Sequence, residues 1–150
     1  MKILFISAAN KNFDGRTRAI LDVLNSFADV IEITTTQGDD FAENNSYYVN
    51  YRSYKEFIRK AVEIGKGQRD VDFIFADNRK LNKLIKPKAV IYDARELYLQ
   101  RETHGFVSKI GCFFESRMLA KASLTVCANE ERKEVMEREY GKIGAILVFE

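Results

Sequence analysis

The densest chemistry in the sequence lies in YDARELYLQRETHG, Tyr92 to Gly105. There Asp93, Arg95, Glu96, Arg101, Glu102 and His104 crowd just beyond an apolar run. A guanidinium can hold phosphate or sugar oxygens bidentately, which singles out Arg95. Asp93 and Glu96 flank it as candidate catalytic carboxylates, although salt bridges that only organise the loop would use the same residues. His104 is the only histidine, and a lone histidine at a helix start is more often structural than a general base.

Three further stretches carry polar groups. In AANKNFDG, Ala8 to Gly15, a lone glycine stands beside a helix start. Asp14, Gly15 and Arg16 are its phosphate-binding candidates, because glycine lets the backbone approach a ligand and a helix N-terminus favours an anion. A turn glycine is the plainer reading. The pattern is neither G-x-G-x-x-G nor a P-loop, which disfavours dinucleotide or ATP binding in those manners. Between Thr34 and Arg52, Tyr47, Tyr48 and Tyr51 precede a basic residue. Such rings stack on sugars and bond their hydroxyls, or simply pack a long loop. Asp77-Asn78-Arg79 offers polar groups too, and equally reads as a helix cap with a solvated neighbour.

Several classes are excluded or disfavoured. No Ser-His-Asp arrangement, metal-spaced cluster or convincing acid pair emerges, and no metal is expected. Ser7-Ala8-Ala9-Asn10 replaces the paired acids that a phospho-receiver domain needs after its first strand. A formal charge of +2 is too small to predict nucleic-acid binding. Cys112 and Cys127 lack partners at ligand spacing and read as small buried hydrophobes in a reducing, cytoplasmic compartment. No apolar run approaches the roughly 18 residues of a membrane span, and MKILFIS reads as a first strand rather than a signal peptide.

The elements that must position these residues follow from periodicity. Apolar runs at Ile3–Ile6, Val30–Ile33, Val71–Phe75, Ala89–Tyr92, Leu124–Cys127 and Ala145–Phe149 are mostly rich in β-branched or aromatic residues, as buried parallel strands are. Amphipathic stretches separate them. Ile20, Leu24 and Phe27 share a helical face, as do Phe57, Ala61 and Ile64. From Gly105 to Lys121, Phe106, Ile110, Phe113, Phe114 and Met118 form a broad apolar stripe expected to face the core. Asn129 is the expected N-cap of the last helix and Gly141 its stop. Gln37 to Arg52 reads as one long loop. The expected fold is therefore α/β: a single Rossmann-like domain over 1–150, a doubly wound, mainly parallel sheet of about six strands with helices on both faces. Ligands bind such sheets at the carboxyl ends of the strands, where all the candidate loops lie.

At these residues the sequence resembles the N-terminal domain of GT-B, family 4 retaining glycosyltransferases. MKILFIS, a glycine loop and Arg18 in the first helix are similar to the family's opening, with Asp14-Gly15 where two glycines are usual. YDAREL, residues 92–97, resembles its Tyr-Asp-x-His-Glu-Leu segment, with Arg95 at the histidine position. Glu115 and KASLTVCANEERKEVMEREYG, residues 121–141, resemble its long helix, strand and Tyr-Gly-terminated helix. The family continues beyond this strand with a second, donor-binding Rossmann domain, and the chain looks cut at that junction.

The resemblance implies a nucleotide-sugar donor as co-substrate, no cofactor, and a saccharide or lipid-linked acceptor, as in bacterial surface polysaccharide synthesis. Gly15, with Asp14 and Arg16, would serve the donor phosphates. Arg95 would sit near the sugar or departing diphosphate, while Tyr47, Tyr48, Tyr51, Asn78 and Arg101 would shape the acceptor side. The amides beside Gly15 and the Arg95 guanidinium are expected to border one cavity mouth. Peripheral contact with the inner face of the membrane is implied as well, with Lys55, Arg59, Lys60 and Lys66 available for it. The competing reading is a stand-alone Rossmann-like regulatory domain whose 92–105 loop holds a small anion or a partner.

Overall fold

A computed structural model of the chain describes residues 1–76, 81, 89–95, 106–141 and 143–149. Asp77, Asn78, Arg79, Pro87, Glu96, Arg101, Glu102 and His104 lie outside the described residues. The chain divides into two compact units, Met1–Ala89 and Val90–Glu150.

In the first unit the strands are β1 (Lys2–Ile6), β2 (Asp29–Thr35), β3 (Phe41–Glu43), β4 (Ser46–Val49) and β5 (Phe73–Ala76). Their order is β3-β4-β2-β1-β5, and every pairing is parallel except β3 with β4. Leu4, Ile6, Ile31, Ile33 and Ile74 share a face and pack against Phe57, Ile58 and Ala61 of helix α2 (Tyr54–Gly67). The alternate residues Ile3, Phe5, Val30 and Phe75 are buried as well, with the Phe5 and Phe75 rings stacked 5.2 Å apart. Burial on both faces explains the unbroken apolar runs.

Helix α1 (Gly15–Asn25) buries Ile20, Leu21 and Leu24. Phe27, expected on that face, lies past the helix end and is exposed, because the chain turns at Ser26, whose N–H bonds Val23 O. Ser53 caps α2 through the Glu56 N–H.

The segment 37–52 is not one long loop. It contains the hairpin β3–β4, which adds to the free edge of β2. Asn44, at φ 53°, makes the tight connection, a conformation asparagine tolerates better than most residues. The hairpin escapes a hydrophobicity reading because β3 is three residues long and exposed throughout.

The second unit holds β6 (Ala89–Asp93), β7 (Leu124–Cys127) and β8 (Ala145–Val148), all parallel. Helices α3 (Phe106–Leu119) and α4 (Glu130–Tyr140) pack Met118, Leu119 and Met136 onto Tyr92, Ala94 and Cys127. Asn129 caps α4 by accepting from Arg132 N at 2.9 Å, and Gly141 ends it at φ 69°. The described residues thus contain all six expected strands plus two more, in a mainly parallel α/β architecture.

Two details differ from expectation. AILVF is not buried on both faces: Ala145 and Leu147, which share one face of β8, are exposed. The aromatic stripe of α3 also faces outward rather than inward. Its buried side is Gly111, Glu115, Met118 and Leu119. The reason is Glu115: the Tyr92 and Tyr140 hydroxyls both donate to its carboxylate. A buried carboxylate is tolerated only with such donors, and satisfying it turns the phenylalanines to water.

Candidate functional site

The turn from β1 into α1 is held by its own polar groups. Phe13 N and Asp14 N donate to Asn10 O at 3.0 and 2.9 Å. Asn12 N donates to Asn10 Oδ1 at 2.9 Å, and the Arg18 guanidinium reaches back to Asn12 O at 2.9 Å. Lys11 reaches inward to Glu32 on β2 at 2.8 Å and lies 4.9 Å from the Tyr48 ring centroid. Burial works against the Lys11 charge, but its bonds to Glu32 and Tyr48 outweigh that, so its pKa is raised above the ordinary 10.5.

Asp14 is the N-cap of α1 and accepts from Thr17 N at 2.7 Å. Part of the helix N-terminus is therefore already met by a carboxylate. Gly15 N makes no hydrogen bond among the described residues, and a Cβ at Gly15 would meet nothing within 4 Å. The backbone there lies open to a ligand.

The three tyrosines do not share a surface. Tyr47 and Tyr48 are neighbours on β4 and point to opposite faces of the sheet. Tyr47 packs against the α2-side core, and its hydroxyl accepts from Gln68 Nε2 at 3.3 Å. Tyr48 stacks on Phe41 at 4.3 Å, on the Lys11 side. Tyr51, past the end of β4, tilts against Phe57 at 5.5 Å.

Tyr51 alone of the three lines a cavity of about 530 Å³, together with Asp39, Asp40, Asn50, Arg52, Glu56 and Lys60. The cavity lies where β2 and β4 end and α2 begins, the expected place for a ligand on such a sheet. Asp40 accepts from Asn50 N at 2.6 Å and from Lys60 Nζ at 2.7 Å. Lys60 Nζ also donates to Asn50 O at 2.8 Å. Glu56 accepts from Arg52 N at 3.0 Å. Among the described residues, the Asp39 carboxylate, the Arg52 guanidinium and the Tyr51 hydroxyl make no hydrogen bond or ion pair. Three acids face two bases, so the cavity carries no excess positive charge for a phosphate. Its mixed donors, acceptors and ring suit a polyhydroxylated ligand. Reading the segment as one loop hid most of these residues. The polar run Gln37 to Asp40 and the turn Asn50 to Ser53, lying on either side of the hairpin, were the available signal.

In the second unit, Asp93 ends β6 fully buried. Its Oδ2 accepts from Arg95 Nε at 2.9 Å, and the Arg95 carbonyl accepts from the Arg132 guanidinium. Asp93 thus holds the Arg95 guanidinium in place. Tyr140 is shifted strongly upward by burial and then by its bond to Glu115, which keeps the phenol protonated. Gly15 belongs to the first unit and Arg95 to the second. Among the described residues, no three ligating side chains cluster as for a metal, and no helix is long and apolar enough to cross a membrane.

No protein-family model and no curated protein matches the chain. Among solved structures it is similar in fold to sucrose-phosphate synthase from Thermosynechococcus elongatus, at TM-score 0.70 and 11% identity, over 98% of this chain and 47% of that one. A shorter chain of the same synthase matches at TM-score 0.66 and 12% identity, over 99% of this chain and 87% of its own. The chain thus spans about half the length of the first of these. Over nearly all its residues it shares the Rossmann-like α/β fold of that synthase.

Proposed function

We propose that the chain is the acceptor-side, N-terminal domain of a GT-B glycosyltransferase of the family 4, retaining kind. The enzyme moves a hexosyl group from a nucleotide-sugar donor to a saccharide or lipid-linked acceptor, in bacterial surface polysaccharide synthesis at the cytoplasmic face of the membrane. The observation that carries the reading is the cavity of Tyr51, Arg52 and Asp39 at the strand ends, on a fold shared with sucrose-phosphate synthase.

In the proposed reaction an acceptor hydroxyl oxygen bonds to the anomeric carbon. The anomeric bond to the diphosphate breaks, and the hydroxyl proton leaves with the diphosphate. Arg95, oriented by Asp93, stabilises the departing charge, which is electrostatic catalysis requiring no metal. Asp14, Gly15 and Arg16 serve the donor phosphates, and a second domain supplies most of the donor's contacts. Tyr51 and Arg52 hold the acceptor; Asn78, Arg101 and Glu96 are assigned to the site on sequence alone.

The test is an assay of full-length protein with a panel of nucleotide sugars and saccharide acceptors, reading released nucleoside diphosphate. Release that is lost in Arg95→Ala supports the reading. No release with any donor, or an unchanged Arg95→Ala rate, leaves the stand-alone binding domain in its place.

A further inference from the structure

From the outward face of α3 we infer a docking surface for a lipid bilayer bearing anionic headgroups. Phe106, Ile110, Phe113 and Phe114 are 78%, 41%, 54% and 36% exposed. Their spacing of 0, 4, 7 and 8 residues places them on one side of the helix. Soluble surfaces carry single apolar residues without consequence, whereas a contiguous aromatic stripe marks an interaction face.

The charges around the stripe select its partner. Arg117 lies three turns along the same side from Phe106, with its guanidinium carbon 5.4 Å from the Phe113 ring centroid. Lys109 flanks the stripe, Lys121 follows just past the helix end, and both are exposed. The only acid in α3 is Glu115, and it is fully buried on the opposite side under Tyr92 and Tyr140. Among the described residues of α3, the exposed face thus offers rings and cations with no carboxylate. Aromatic residues settle at the headgroup boundary, and each nearby lysine or arginine adds attraction to an anionic leaflet. A second copy of the chain would bring the three cations against their own like charges, which disfavours self-association.

Helix α2, whose Lys55, Arg59, Lys60 and Lys66 were the expected membrane contact, is less suited. Lys60 is engaged by Asp40 and Glu56, Glu63 is exposed on the same helix, and Tyr54 is the only large exposed hydrophobe of α2. The α3 proposal deepens the membrane location in the proposed function, but it involves no donor or acceptor, so vesicle binding and sugar transfer can fail independently.

Co-sedimentation with phosphatidylcholine vesicles, with and without phosphatidylglycerol, tests it. The protein should bind the anionic vesicles, and added salt should weaken the binding. Phe106→Ser/Phe113→Ser should lower partitioning about tenfold or more, with unchanged far-UV circular dichroism. Lys109→Glu/Arg117→Glu should lose the preference for phosphatidylglycerol. Failure to bind anionic vesicles, or full binding by a folded double serine variant, would overturn the proposal. So would concentration-dependent self-association in the ultracentrifuge that the serine variant abolishes, since a second copy would then occupy the face.

Discussion

Lys60 Nζ lies 2.7 Å from Asp40 Oδ2, tying α2 to the segment that leads from β2 into the hairpin. The same ammonium bonds Asn50 O at 2.8 Å, so one side chain joins three walls of the cavity. Asp40 is about half exposed, and pairs of that kind are worth about 0.2–1 kcal/mol. Lys60→Met should therefore cost no more than about 1 kcal/mol in urea unfolding while weakening saccharide binding. A loss of several kcal/mol would show that the lysine is structural rather than part of a ligand cavity.

The Asp40 carboxyl reports the same wall by its titration. The Lys60 bond, followed by the Asn50 N–H, holds its pKa below the ordinary 3.8. A depressed folded pKa contributes stability that is present above 3.8 and is lost as pH falls through the lower folded value. Carboxyl NMR should place the Asp40 midpoint below 3.8, moving upward in Lys60→Met. A midpoint at the ordinary value, unchanged by the substitution, would contradict the contact.

Two glycines should respond oppositely to alanine. At Gly15 a Cβ meets nothing within 4 Å, whereas at Gly144 it would come 2.8 Å from the Ala122 carbonyl oxygen. Gly15→Ala should leave stability unchanged or raise it by about 0.4–1 kcal/mol while lowering nucleotide-diphosphate affinity. Gly144→Ala should cost roughly 1–3 kcal/mol by overpacking. Denaturant melts and calorimetric titration separate the two effects.

Much of the fold is legible because parallel strands buried on both faces leave unbroken apolar runs; all six apolar runs are strands, although β8 exposes Ala145 and Leu147. The hairpin is not, because β3 is short and exposed and leaves no hydrophobic trace. Of the α3 stripe, Met118 is buried while Phe106, Ile110, Phe113 and Phe114 face outward. Periodicity finds an apolar face but not its direction, and the buried Glu115 reversed it through Tyr92 and Tyr140, which lie far away in sequence. At the candidate site the residue types of the hairpin segment are visible in the sequence, but the separation of Tyr47 and Tyr48 from Tyr51 is not. Strand alternation, invisible until β4 is recognised, sends those two to opposite faces.

Tyr140 is expected to remain protonated well above pH 10, its ordinary value, since burial and then the Glu115 bond raise its pKa. A raised pKa contributes stability that is present below the ordinary value and is lost as pH climbs through the folded one. Tyrosinate absorbance should show phenol ionisation that occurs only with unfolding, and Tyr140→Phe should reduce its amplitude by one tyrosine. The substitution should also cost about 1.5–3 kcal/mol, as the loss of a hydrogen bond to a charged group does.

In the proposed function, the cavity beside Tyr51 and Arg52 receives an acceptor saccharide. Backbone NMR titration with mono- and oligosaccharides measures this most directly. Saturable shifts centred on Asp39, Asp40, Asn50, Tyr51 and Arg52, lost in Tyr51→Ala without loss of fold, are the predicted result. Shifts elsewhere, or none with any saccharide while inorganic phosphate perturbs those same residues, would contradict it.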